Sequence, residues 1–168
     1  MLKELDTAAE SPAPPLFLNG VSGLGSPFWV ADFESRFIGE GTAAERLLAV
    51  LESIVFLIRA NLDELRPHGP ALRRLVLTGG LSASDLFCQR LADVAALDVW
   101  RSREPEATAR GLAWLTGAQP AGWSKPPGDS FTPRSVPVLE RRWFAWLDAM
   151  PAIPGTVHLT APTGGRVR

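Results

Sequence analysis

The stretch LVLTGGLSASD, residues 75–85, constrains the fold more than any other part of the chain. An apolar run meets two consecutive glycines, then small polar residues, then a segment with helical spacing. Leu75, Val76 and Leu77 are apolar without alternation. With the residues before them they predict a strand over 72–78, buried on both faces like a central parallel strand. A helix is predicted over 84–96, with Leu86, Phe87, Leu91 and Val94 on its apolar side. A short strand, DVW, follows at 98–100, and a third helix over 106–116 ends at Gly117, a C-terminal cap. Strand, helix, strand and helix joined by short links form a right-handed crossover unit and an α/β fold.

The Gly-Gly corner suggests a site. Glycine has no Cβ, so the chain can take positive φ and a ligand can lie against the peptide plane. The next helix presents free N–H groups and a partial positive charge at its start, which suits a phosphate. Ligands of open α/β sheets gather outside the carboxyl ends of strands, where this corner lies. The plainer alternative is a tight turn with Ser82 or Ser84 as helix cap, and spacing alone leaves both open.

Three zones organise the chain. Residues 1–15 are polar, then Ala/Pro-rich, and are expected to be disordered. Residues 16–117 alternate apolar runs with glycine turns and are expected to form the folded domain. Residues 118–168 hold 8 of the 15 prolines and predict an irregular tail with a short helix near 138–149. Within the folded zone, LFLNGVSGLGSPFW (16–29) predicts a strand running into a glycine loop, and FESRFIG (33–39) a second short strand. The clearest element is a helix over 42–66. Thr42 and Glu45 form a capping box. Leu47, Leu51, Ile54, Ile58, Leu62 and Leu65 fall at helical spacing, Val50, Val55 and Leu57 widen the apolar face, and Pro67 ends the helix.

Composition removes several function classes. With 168 residues and 46% hydrophobic content, the chain has material for one cored domain. A net charge of −1 argues against a nucleic-acid binder. Arg73, Arg74, Arg101, Arg103, Arg141 and Arg142 are scattered and predict solvated faces rather than a phosphate stripe. The most apolar run, residues 47–58, contains Glu52 and Ser53 and is too short to span a bilayer, so no membrane partner is expected. The first fifteen residues lack the apolar stretch of a signal peptide. One cysteine, Cys88, excludes an intrachain disulfide and fits a cytoplasmic setting. Inside an amphipathic helix it predicts a small buried hydrophobe.

Two histidines, His68 and His158, have no motif partner, and with one cysteine they make no zinc cluster. No GxxxxGK[ST] is present, and NGVSGLG (19–25) is not GxGxxG. At the end of DVW, Arg101 stands where a dinucleotide-binding unit needs an acid. Asp85, Asp93, Glu104 and Glu106 fit cap, surface and loop positions better than a catalytic base.

Three segments in order resemble the C-terminal, nucleotide-binding domain of the FGGY family of carbohydrate kinases. SGLGSPFW (22–29) is similar to the family's glycine–aromatic segment, and LESIVFLIR (51–59) to the long helix after it. The most specific is residues 75–117, similar to the strand, Gly-Gly turn, helix, short strand and Ala/Gly-rich closing helix of the adenine-nucleotide region. FTPRSVPVLERRWFAWL (131–147) resembles the family's ending. The resemblance implies a partial actin-like ATPase (RNase H-like) domain, a central mixed sheet flanked by helices. It also implies ATP and Mg²⁺, with the γ-phosphoryl group passing to a sugar or polyol hydroxyl. Carried over by residue, Gly79 and Gly80 form the turn on which the nucleotide packs, and Ser84 meets the adenine or its ribose. Gly39 lies on the phosphate side, and Gly111 allows tight packing of the closing helix.

The sequence departs from the family in places. VADFESR (30–36) replaces the usual segment after the aromatic, and the entry to the long helix is short. The family's first domain, with its sugar site and catalytic aspartate, has no counterpart here. The expectation is therefore the ATP-binding half of a kinase, a fragment or the product of a split gene, inactive alone. Mg²⁺ and the sugar or polyol would be bound mainly through that first domain. The alternative is a non-catalytic remnant or interaction module, whose incomplete sheet invites a partner chain or self-association.

Overall fold

A computed structural model describes residues 8, 14–104, 106–117, 122–124 and 126–153. The chain divides into two units, residues 1–64 with 137–168, and residues 65–136.

In the first unit, β1 (Leu16–Leu18) pairs antiparallel with β2 (Arg36–Ile38), Phe17 opposite Phe37. Helix α1 (Ala43–Leu65) begins with the expected capping box. The Thr42 amide donates to Glu45 Oε2 at 2.8 Å and the Glu45 amide to Thr42 Oγ1 at 3.3 Å. Helix α4 (Pro137–Ala149) realises the short helix expected in the tail. Phe28, Phe56, Trp143 and Trp146 form an aromatic core with ring centroids 5.7 to 6.0 Å apart. The Trp146 indole N–H donates to the Phe17 carbonyl at 2.9 Å, giving its one polar atom a partner.

The buried stripe of α1 differs from the predicted one. Leu48, Ala49, Glu52, Ser53, Val55, Phe56, Ala60 and Leu62 are buried, so Val55 and Leu62 lie on the face as expected, while Leu47 and Leu65 are exposed. The buried stripe also takes in Glu52, a charge at a core position. Arg142 explains how: its guanidinium donates to Glu52 Oε2 at 2.6 and 2.9 Å and to the carbonyls of Pro14 and Pro15. A charge so paired can sit where an isolated one could not. Arg142 is thus no solvated face, contrary to the expectation. Most of segment 1–15, expected to be disordered, lies outside the described residues, as does His158.

In the second unit, β3 (Arg74–Leu77) runs into a 3-10 turn (Gly80–Ala83), then α2 (Asp85–Ala95), β4 (Asp98–Ser102), α3 (Ala107–Thr116) and β5 (Gly128–Phe131). The sheet order is β3-β4-β5. β3 and β4 are parallel through the α2 crossover, and β4 and β5 are antiparallel, so this sheet is mixed. Among the described residues it is separate from the β1–β2 pair, so the expected central sheet is divided in two.

Three expectations change in this unit. Among the described residues β3 is an edge strand, not a central one, and Val76 is 57% exposed. β5 arises from the segment read as irregular. Gly111 does not serve close packing, since a Cβ there would meet nothing within 4 Å. Cys88 is fully buried, as expected, and its thiol contacts the Ser82 carbonyl. Burial pushes that thiol's pKa up, which keeps it neutral. Among the described residues no helix is long and apolar enough to cross a membrane.

Candidate functional site

The corner after β3 is built from two different glycines. Gly79 has φ +90° and ψ 179°, a backbone region that is essentially glycine's own. Gly80 has no positive φ and starts the 3-10 turn. A Cβ on either would meet nothing within 4 Å, so no neighbour plugs the corner. Ser82 closes the turn on itself: its amide and its hydroxyl both donate to the Gly79 carbonyl, at 3.1 and 2.6 Å.

The corner opens on a cleft of about 400 Å³ at the carboxyl ends of β3 and β4, lined also by Arg101, Arg103, Glu106 and Asp129. Arg101 on β4 and Arg103, one residue past its end, both face this cleft at period-2 spacing. Opposite them, β5 supplies Asp129, the register partner of Arg101. Arg101 donates to Asp129 Oδ2 at 2.8 Å, to Asp85 Oδ1 at 2.7 Å and to the Ser82 carbonyl at 3.0 Å. Arg103 donates to both Asp129 oxygens. The Arg103 and Arg101 guanidiniums hold the Asp129 carboxyl down at about 2, and Asp129 in turn pushes both arginine values up. Such a carboxylate is too weak a base to take a hydroxyl proton at neutral pH.

The structure brings Gly79 and Gly80 to the cleft. Ser84 instead caps α2, its Oγ accepting from the Phe87 amide at 3.2 Å, and it does not line the cleft. The tight-turn alternative thus describes Ser84, while the glycines keep the open face that a ligand needs. Gly39 follows β2 in the first unit with φ +88°, so its glycine identity has a backbone reason there. Sequence reasoning missed Arg101, Arg103 and Asp129. The alternation of Arg101 and Arg103 was a usable signal, whereas Asp129 sits in a Pro/Gly stretch with none. Asp93 also differs from the surface role expected of it: its side chain is 2% exposed and bound by Arg134.

Residues 1–119 match the C-terminal domain of the FGGY family of carbohydrate kinases. The chain belongs to this family. It is 32% identical over 141 residues to a glycerol kinase of Shewanella amazonensis, a match covering 76% of this chain and 28% of that protein. A glycerol kinase of Cereibacter sphaeroides is 35% identical over 120 residues, covering 68% and 24%.

Among solved structures, Plasmodium falciparum glycerol kinase with ADP matches with a TM-score of 0.71 at 21% identity, over 88% of this chain and 32% of that one. Xylulose kinase from Rhodospirillum rubrum matches with a TM-score of 0.69 at 21% identity, over 88% and 33%. The chain carries the C-terminal domain of an FGGY carbohydrate kinase, and it has the actin-like ATPase fold of the enzymes it matches. It spans less than a third of the glycerol kinases it matches.

Proposed function

We propose that this domain binds ATP, with the adenine lying against the bare peptides of Gly79 and Gly80. It then forms the nucleotide side of a kinase that moves the γ-phosphoryl group to a sugar or polyol hydroxyl. The open Gly79–Gly80 corner above a cleft carries this reading. A flat ring can approach a peptide plane that has no Cβ, and a cleft of this size can hold a base and its ribose. The matching structure with bound ADP supports the ligand class.

The chemistry requires more than the described residues offer. Phosphoryl transfer depends on positioning, charge neutralisation and a carboxylate that accepts the hydroxyl proton. Asp129 is engaged by two arginines and is no candidate for that base, and we place the base and the sugar or polyol site in the family's first domain, as the resemblance implies. Among the described residues no group of three or more His, Cys, Asp or Glu side chains could hold a metal ion. Mg²⁺, which neutralises phosphate charge when bound, would therefore rest on the nucleotide and that first domain. Alone, the chain binds ATP without transferring phosphate. A single buried thiol and the use of ATP fit a cytoplasmic setting.

Calorimetric titration of the 168-residue chain with ATP and Mg²⁺ tests this. Saturable binding is expected, and Gly80→Val should abolish it by filling the base slot. Absence of binding, or an affinity that survives Gly80→Val, overturns the assignment. The second reading, an interaction module, is favoured by one observation: the outer edge of β3 has no strand beside it among the described residues.

A further inference from the structure

Arg101 is the best-connected side chain around the cleft. Its Nη1 reaches the Ser82 carbonyl in the Gly79–Ser84 turn and Asp85 at the start of α2, and its Nη2 reaches Asp129 on β5. Its guanidinium carbon also lies 5.1 Å from the centre of the Phe131 ring. Three separate pieces of the unit meet on one rigid fork, and the side chain is only 15% exposed. The Ser82 carbonyl has a second donor, the Cys88 thiol at 3.3 Å. The same serine closes the turn onto Gly79 through its amide and hydroxyl. The turn is thus tied at Ser82 through its amide, hydroxyl and carbonyl, while a Cβ on either glycine would meet nothing within 4 Å.

We infer that Arg101 is a positioning residue for the nucleotide slot: it holds the turn through the Ser82 carbonyl, with Asp129 and Asp85 fixing the guanidinium. The inference rests on the nucleotide reading above but makes a separate structural claim. With three of its five N–H donors given to protein acceptors, Arg101 is held against the turn, so its effect falls on the base slot. Lysine cannot replace it, since an ammonium lacks the planar fork that spans the three acceptors.

Two measurements on the full chain decide this, with Arg141→Met, on the exposed side of α4, as the control. The first is amide hydrogen exchange over residues 79–85. Arg101→Met and Arg101→Lys should each speed exchange there by about tenfold or more, the weight of a charge-assisted hydrogen bond. The β4 and α2 amides should keep their protection. Unchanged exchange in the turn overturns the inference whether or not the chain binds nucleotide, and so does a uniform rise, which would mean general unfolding. The second is affinity. Adenosine and ATP should weaken by the same factor in both variants. A loss confined to ATP would mean direct phosphate contact and overturn the positioning role, as would an unchanged affinity alongside a loosened turn. Failure of the wild-type chain to bind ATP sinks the nucleotide reading alone, because the exchange result still judges Arg101.

Discussion

Gly79 and Gly80 are neighbours with different reasons to be glycine. At Gly79 the reason is the backbone, since φ +90° with ψ 179° is closed to side chains. At Gly80 the reason is the space, because the backbone tolerates a Cβ and nothing stands within 4 Å of one. Gly79→Ala should therefore cost about 1–3 kcal/mol of stability, the usual scale of backbone strain. Gly80→Ala should change stability by less than about 0.5 kcal/mol, like an ordinary surface substitution. Urea unfolding of both variants is the check, and equal costs would mean that the corner has been misread. The glycine pair was legible in sequence because two glycines ending an apolar run have few other uses. Their division of labour was not, since it depends on dihedral angles. Nor was the partner set of Arg101, because Asp129 comes to it from 28 residues away.

Elements were legible where a local rule fixes them. The capping box placed the start of α1, and Ser84 starts α2 as one of the two serines named for a cap. The buried face of α1 matches the predicted one at Val55 and Leu62 but also takes in Glu52, a charge that apolar spacing leaves out. Its partner, Arg142, lies 90 residues on, in another helix, and periodicity within one helix cannot reveal that. The pair is deep, with side chains 1% and 12% exposed. Removing one member of such a pair leaves a buried charge and typically costs about 3–5 kcal/mol. Arg142→Met should therefore lower the unfolding free energy on that scale. The double variant Glu52→Leu with Arg142→Met should recover much of it, because no buried charge then remains. A single-variant cost below about 1 kcal/mol, the level of an exposed pair, would show that water reaches Glu52 and that the strut is not structural.

At the scale of the whole molecule, sequence and structure disagree about β3 in a way that is itself informative. Its run of Leu75, Val76 and Leu77 has the continuous apolarity of a strand covered on both faces. Among the described residues it is the end strand of a three-stranded sheet, with Val76 57% exposed. β5 escaped the reading because GDSF has neither alternation nor β-branched residues, and only pairing with β4 makes it a strand. A strand composed for burial but left at an edge offers unpaired backbone groups and an apolar side chain together, which favours edge-to-edge association. The 168-residue chain should therefore self-associate as its concentration rises through the micromolar range, with β3 as the contact. Val76→Lys should suppress this, since a charge on an edge strand opposes pairing with another copy. Val76 does not line the cleft at the Gly-Gly corner, so nucleotide affinity should be kept. Sedimentation velocity across a concentration series gives the answer. If the wild-type chain stays monomeric, or if Val76→Lys associates just as strongly, β3 is not the contact, and its apolar run must be explained by packing against something other than a second strand.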